Sequence, residues 1–499
     1  MDLIANLATG FAVSLTPANL GFCFLGALIG TLVGVLPGIA PIITIAILLP
    51  FTFSLPPSSS LIMLAGIFYG AQYGGSTTAI LVNVPGESSS IVTTLDGHQM
   101  AKQGRAGPAL AIAAIASFVA GTIATLVIAT ASAPLTWLAL KFNAAEYFSL
   151  MVLGLTGSVV LAHGAPEKAI AMVLVGLLLG LVGIDVNSGA PRMTLDLPAL
   201  GDGIGFVPIA IGMFGIAELA VTLGRSQDRS LLAVKLRNLW PSRAEIRQCI
   251  PAMLRGTAVG CILGVLPGGG AALSSFAAYG VEKKSSRHPE RFGRGAIEGV
   301  AAPEAANNAG AQTSFIPLLT LGIPGNAIMA LMVGAMMIQG IQPGPQVIVN
   351  QPDLFWGVIT SMWLGNVMLI VLNLPMIGLW VALLRVPFRL MFPAIVLFCC
   401  IGTYSAGNTV FDIWVMLLFG ALGVFFYKVG AEPAPFVLGF VLGPMMEENF
   451  RRAMYISRGD PMVFVERPIS AVLLVLALAL LVILVLPTIR AKREEVFKE

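Results

Sequence analysis

The chain has 499 residues, 57% of them hydrophobic and 11% charged, with a net charge of +3 and a mean hydropathy of +0.89. A soluble domain carries about a quarter charged residues, so that class is excluded. The short segments of alternating polarity that a membrane β-barrel needs are also missing.

Runs of about 18 or more apolar residues, each able to cross a bilayer as a helix, recur at 106–132, 168–184, 203–223, 354–384 and 468–488. The expected fold class is an all-α polytopic membrane protein. It should hold roughly a dozen transmembrane or re-entrant helices, in two inverted repeats with broken helices. Residues 1–223 form the first repeat, 224–250 a cytoplasmic basic linker, 251–488 the second repeat and 489–499 a charged tail. The first 20 residues have no basic start, so no cleaved signal peptide is expected.

In chain order, the first signal is GALIGTLVGVLPG at 26–38. Glycine at every fourth position gives a flat helix face for close packing. Pro37 and Gly38 then break the helix, because proline donates no amide hydrogen bond and glycine admits positive φ. The second signal, QYGGSTTAILVNVPGESSSIVTTLD at 72–96, sets hydroxyls, Asn83 and Glu87 around Pro85 and Gly86. The loop DGHQMAKQGRAG (96–107) carries no phosphate-binding fingerprint and reads as a cytoplasmic connector.

Both signals then recur. GTAVGCILGVLPG at 256–268 repeats the first at an offset of 230, with Pro267 and Gly268 as its break. SFIPLLTLGIPG at 314–325 repeats GSTTAILVNVPG at 75–86 more loosely, at an offset of 239. Two copies of one pattern in apolar surroundings point to a secondary transporter whose site lies where the repeats meet.

Charge supplies an orientation. Lys and Arg cluster in 225–255, 283–294 and 490–498, and basic loops stay cytoplasmic. In the first half, 38–84 is free of charge and Asp96, Lys102 and Arg105 follow the second element. In the second half charges fill 282–304 before that element, and 324–352 is free of them. Equivalent loops thus have opposite character, as in repeats inserted upside down relative to each other. Arg255 and Glu282 bracket VLPGGGA, so this stretch is expected to enter and return, and by repeat logic 26–53 does the same from the other face; the alternative is that one of these stretches spans and another element re-enters.

The site residues follow from the chemistry. Hydroxyls, amides and helix N-termini bind carboxylates without a formal positive charge. Freed carbonyls, Asn side chains and an occasional carboxylate suit sodium, and a protonatable Glu suits a proton. Expected substrate residues are Ser76, Thr77, Thr78, Asn83, Pro85, Gly86, Glu87, Ser88, Thr313, Ser314, Pro324, Gly325 and Asn326. Asn307, Asn308, Gly86 and Gly325 are expected at the coupling cation, with Glu304 and Gln312 among the neighbouring polar groups. The alternative is a Ser/Thr/Asn-rich surface loop that only turns the chain.

No catalytic residues, cofactor or metal beyond a sodium ion are expected. The cysteines 23, 249, 261, 399 and 400 lack metal spacing and read as core thiols. His98, His163 and His288 read as solvated loop residues, and the Met-rich 329–337 as packing. Rival functions are a passive anion channel and an intramembrane enzyme, for which no nucleophile–base pair is evident. Nucleic acid is not an expected partner.

The stretches GTLVGVLPGIAP (30–41), YGGSTTAILVNVPGESSS (73–90), DGHQMAKQGRAG (96–107), APEAANNAGAQTSFIPLLTLGIPGNA (302–327) and GIQPGP (340–345) resemble the large membrane subunit of tripartite tricarboxylate transporters. The resemblance runs over roughly 18–470. It implies a multi-pass subunit of a bacterial inner-membrane importer of small carboxylates, driven by an ion gradient. The implied partners are a small membrane subunit and a periplasmic solute-binding protein. The family's signature stretches fall on 74–90 and 303–326.

Overall fold

The computed structural model describes residues 3–36, 41–162, 165–185, 187–223, 239–266, 270–344, 346–384 and 388–485. The expected breaks at Pro37, Gly38, Pro267 and Gly268, and His163, lie outside the described residues.

Nearly everything described is helix. The first half contains α1 (Leu3–Ser14), α2 (Pro17–Val35), α3 (Pro41–Thr52), α4 (Pro57–Val82), α5 (Ala106–Ala139), α6 (Ala144–Leu161), α7 (Pro166–Gly180) and α8 (Phe206–Leu223), which includes a π-helical segment. The second contains α9 (Arg243–Val265), α10 (Gly270–Ser285), α11 (Glu298–Thr313), α12 (Phe315–Leu321), α13 (Ala327–Ile338), α14 (Pro352–Asn373), α15 (Ile377–Leu383), α16 (Phe388–Gly407), α17 (Val410–Lys428), α18 (Pro433–Ile456) and α19 (Pro468–Val485). A two-stranded hairpin, Gly183–Ile184 with Pro191–Arg192, is the sheet among the described residues. Among the described residues six helices are long and apolar enough to cross a membrane, and several shorter apolar helices accompany them. The run 354–384 is not one span: it divides into α14 and α15 at Pro375.

Helix starts follow ordinary capping rules. Thr16 caps α2 ahead of Pro17, and Ser242 with Glu245 forms a capping box on α9, within the segment expected as linker. The two glycine ladders then select their partners. A Cβ on Gly26, Gly30 or Gly34 of α2 would strike the carbonyl oxygen of Met63, Ile67 or Ala71 on α4. A Cβ on Gly256, Gly260 or Gly264 of α9 would strike that of Ala302, Ala306 or Gly310 on α11. The ladders are offset by 230, and their partner carbonyls by 239, as the sequence repeats are.

The partner helices end alike. Asn83 (φ 58°) closes α4 and Gly322 (φ 74°) closes the α11–α12 segment, both left-handed and again 239 apart. After each Pro-Gly an extended residue, Glu87 or Asn326, caps the next helical segment.

Where the halves part is the element after the ladder. α10 folds back along α9 and α11, and Arg255 meets Glu282 through two 2.8 Å bonds. Ser275 Oγ also reaches the Pro303 carbonyl at 3.3 Å. Among the described residues no side-chain bond ties α3 to α2 or α4. It lies mainly against α16, the π-helical part of α8, α13 and α4, and the packing of α10 on its ladder helix is not matched there.

The loops pair by character. Asp96 Oδ1 accepts N–H bonds from Gly293, Gly295 and Ala296 at 2.8–2.9 Å, and Tyr279 donates to its other oxygen at 2.9 Å. Gln103 donates to the Arg294 carbonyl at 2.9 Å. The uncharged loops pair as well: Gln339 Nε2 donates to the Thr52 carbonyl at 2.8 Å.

Three cysteines, 23, 249 and 399, are buried, and 261 and 400 are half-buried. Met329, Met332 and Met336 are core residues. His98 corrects its expectation: it is buried, with Nδ1 3.0 Å from the Ile80 carbonyl, because the 94–98 turn folds inward onto α4.

Candidate functional site

α4 and α11 lie at the centre. Residues 59–82 of α4 and all 16 residues of α11 are buried. Helical spacing puts Gln72 and Ser76 on one face of α4, and Glu304, Asn307 and Asn308 on one face of α11. These faces meet.

Ser76 Oγ lies 2.5 Å from Glu304 Oε2 and 3.1 Å from the Gln72 carbonyl. The Thr93 hydroxyl bonds the other Glu304 oxygen. Asn307 Nδ2 donates to Glu87 Oε1 at 3.3 Å. The Ser89 hydroxyl also bonds that oxygen and reaches Gln72 Oε1 at 2.9 Å. Asn308 Nδ2 donates to Ser117 Oγ of α5 at 2.7 Å. Further along, Tyr73 donates to Asn366 Oδ1 of α14 at 3.3 Å, and Thr125 of α5 to Gln312 Oε1 at 2.7 Å. Gly121 permits this: a Cβ there would collide with the amides of both Gln312 and Asn366.

Beside the network is a small cavity of about 10 Å³, room for about one water molecule. Tyr73, Ser76, Thr77, Ser117 and Asn373 give it a polar wall. Among the described residues, the buried amide oxygens Asn307 Oδ1, Asn308 Oδ1 and Asn373 Oδ1 have no hydrogen-bond donor. A buried acceptor left unpaired costs about 1–3 kcal/mol, so these oxygens mark places where a donor or cation would be welcome.

The expected substrate residues separate into groups. Ser76 and Thr77 face the network or the cavity. Thr78 is spent on the Gly34 and Val35 carbonyls, Thr313 on Gly260 and Ala309, and Ser314 on Ala311. Thr78 and Thr313 tie helices together, whereas Ser314 bonds back within its own segment. Asn83 and Ser88 are exposed, Pro85 and Glu87 half-buried and Gly86 buried. Pro324 and Gly325 are buried, and Asn326 caps α13 by accepting from Met329 N at 2.9 Å. Among the described residues no hydrogen bond joins 324–326 to the Glu304 network.

Sequence reasoning passed over Gln72, Tyr73, Thr93, Ser117, Asn366 and Asn373 as site residues. The signal for the last three was available: each is a polar residue inside a long apolar run, where polarity is expensive and functional.

Comparison with known proteins gives the chain's family. The sequence model of the Tripartite tricarboxylate transporter TctA family matches residues 20–438. An uncharacterized 52.8 kDa protein of the TAR-I ttuC' 3' region of Agrobacterium vitis is 59% identical over 499 residues, covering 100% of this chain and 99% of that one. An uncharacterized protein of the TAR-II ttuC' 3' region of the same organism is 61% identical over 240 residues, 48% of this chain and 99% of its own length. No solved structure matches. The chain therefore belongs to the TctA family, the large membrane subunit of tripartite tricarboxylate transporters.

Proposed function

We propose that the chain forms the transport pathway of a secondary active importer of small carboxylates in the bacterial inner membrane. A periplasmic solute-binding protein delivers the substrate, a small membrane subunit accompanies the pathway, and a sodium or proton gradient drives it. The observation that carries this reading is the meeting of Ser76, from the first half, with Glu304, Asn307 and Asn308, from the second, in one buried polar network. Polar groups at such depth face a functional cavity in transporters built from repeats.

An inverted arrangement of the repeats fits the same contacts. Tyr73 of α4 bonds to Asn366 of α14, which lies beside Gln312 near the end of α11, and Ser76 bonds to Glu304 nearer its start, the order that oppositely running α4 and α11 would give. The charged loops of the two halves touch each other, as do the uncharged ones, which supports the same reading. Carboxylate recognition would use hydroxyl and amide donors, since 72–96 and 303–326 contain no Lys or Arg.

Asn308→Ala tests the junction. Carboxylate uptake with both partner subunits present is expected to fall at least tenfold, with insertion and gel-filtration behaviour preserved. Uptake at the wild-type rate would remove the α4–α11 junction from the pathway.

A further inference from the structure

The α4–α11 junction holds a pair of carboxyl groups with no cation beside them among the described residues. Glu304 is fully buried, Glu87 is half-buried, and neither takes part in an ion pair among the described residues. An ionised carboxylate held this way costs several kcal/mol, so a positive charge or a proton must accompany it.

Counting hydrogens sharpens the point. Ser76 has one hydroxyl hydrogen and two acceptors in reach, the Gln72 carbonyl and Glu304. Ser89 has one and faces Gln72 Oε1 and Glu87. Asn307 is fully buried, its Nδ2 is held on Glu87, and its Oδ1 has no donor. Glu87 also accepts from the Ser90 backbone N–H and the Gln72 amide, so among the described residues the shortage of hydrogens lies at Glu304, which has two hydroxyl donors, and at the Asn307 amide oxygen.

We propose that Glu304 and Glu87, with the amide oxygen of Asn307, bind the monovalent cation that drives transport. The inference rests on the transport reading above and gives that reading its coupling residues. The shared chemistry is an oxygen-only acceptor set: a proton is carried as a carboxylic acid, or a sodium ion is held by carboxylate and amide oxygens. Because Glu304 belongs to one half and Glu87, Ser76 and Thr93 to the other, occupancy changes how tightly the halves hold together. A ligand shifts a conformational equilibrium by such differential affinity.

Other ionisable groups around the pair are already engaged. Tyr73 is bonded to Asn366, and Asp96 to Tyr279 and the 293–296 backbone. His98 faces the Ile80 carbonyl, Glu282 pairs with Arg255, Glu298 with Gln248 and Arg291, and Arg105 with Glu245. Cys249 and Cys261 of α9 are free thiols, one buried and one half-buried.

The test uses membrane vesicles holding the complete transporter, with a sodium or a proton gradient imposed separately. In Glu304→Gln and Glu87→Gln the ratio of gradient-driven carboxylate accumulation to carboxylate exchange is expected to fall at least tenfold. The gradient under which the ratio falls names the cation. Wild-type ratios under both gradients, or equal loss of exchange and accumulation, would overturn the proposal. Should Glu304→Gln fail to insert, Ser76→Ala and Thr93→Val leave the carboxyl in place. A shift in the cation concentration for half-maximal uptake supports the site, and no shift overturns it. Wild-type vesicles that accumulate nothing under either gradient would sink the transport reading itself.

Discussion

Asp185 shows how one side chain can set the behaviour of a surface device. It is buried beside the hairpin strands, where its carboxylate accepts N–H bonds from Ser188 and Asn187 at 2.9 and 2.8 Å. Arg451 of α18 reaches it at 3.0 Å, and Arg192 lies between it and Glu447. The backbone bonds from Ser188 and Asn187, aided by Arg451, hold its carboxyl down at about 2 from an ordinary 3.8. A lowered value means the folded form favours the ionised group. The stabilisation is therefore complete above the ordinary value and is lost as pH falls toward 2. Asp185→Asn is expected to lower the unfolding temperature at neutral pH, with the gap to wild type closing as pH drops through that window. A gap that stays constant with pH would contradict this role. The hairpin was not legible in the sequence, where 168–184 reads as one apolar run; the turn is made by side-chain-to-backbone bonds that hydropathy does not register. Glu304, by contrast, stood out as a carboxylate among alanines, but its partners Thr93 and Ser76 come from residues far away in the chain.

At the scale of elements, the ladders were the most legible feature. Their spacing announced a flat face on α2 and α9, and that face is found in both. Which helix covers it was not readable, because carbonyl oxygens of Met63, Ile67 and Ala71 carry no side-chain signature. The contact predicts a contrast within α2. Gly30→Ala would push against the backbone of Ile67 and Gly260→Ala against that of Ala306, whereas Gly21 has nothing within 4 Å. Thermal unfolding in detergent should show a loss of about 1–3 kcal/mol for Gly30→Ala and Gly260→Ala. Gly21→Ala should be neutral or gain up to about 1 kcal/mol from helix propensity. Equal effects at positions 21 and 30 would refute the packing. The divergence of α3 from α10 has a visible cause too. Ser275 and the Arg255–Glu282 pair tie α10 down, and α3, nearly all apolar, packs where apolar surface is offered.

The molecule brings two halves with matching ladders and matching helix ends at Asn83 and Gly322 around one polar junction, and their loops pair by charge. Charge patterning along the chain made that sorting readable; the contacts between loops, Asp96 with 293–296 and Gln339 with Thr52, depend on tertiary packing that sequence alone does not give. If the halves are inverted, single cysteines introduced as Pro56→Cys and Ser286→Cys, in a chain cleared of its own five cysteines, should react with impermeant reagents from opposite sides of the membrane. Labelling from the same side would contradict inversion. The central claim is that this chain couples carboxylate movement to an ion gradient. Its most direct test is uptake of radiolabelled carboxylates into vesicles containing all three subunits, under a sodium or a proton gradient applied alone. Accumulation above the external concentration is expected under one of the two gradients, collapsing when that gradient is dissipated. Flux that only equilibrates, whichever gradient is present, would contradict it and make the chain a channel.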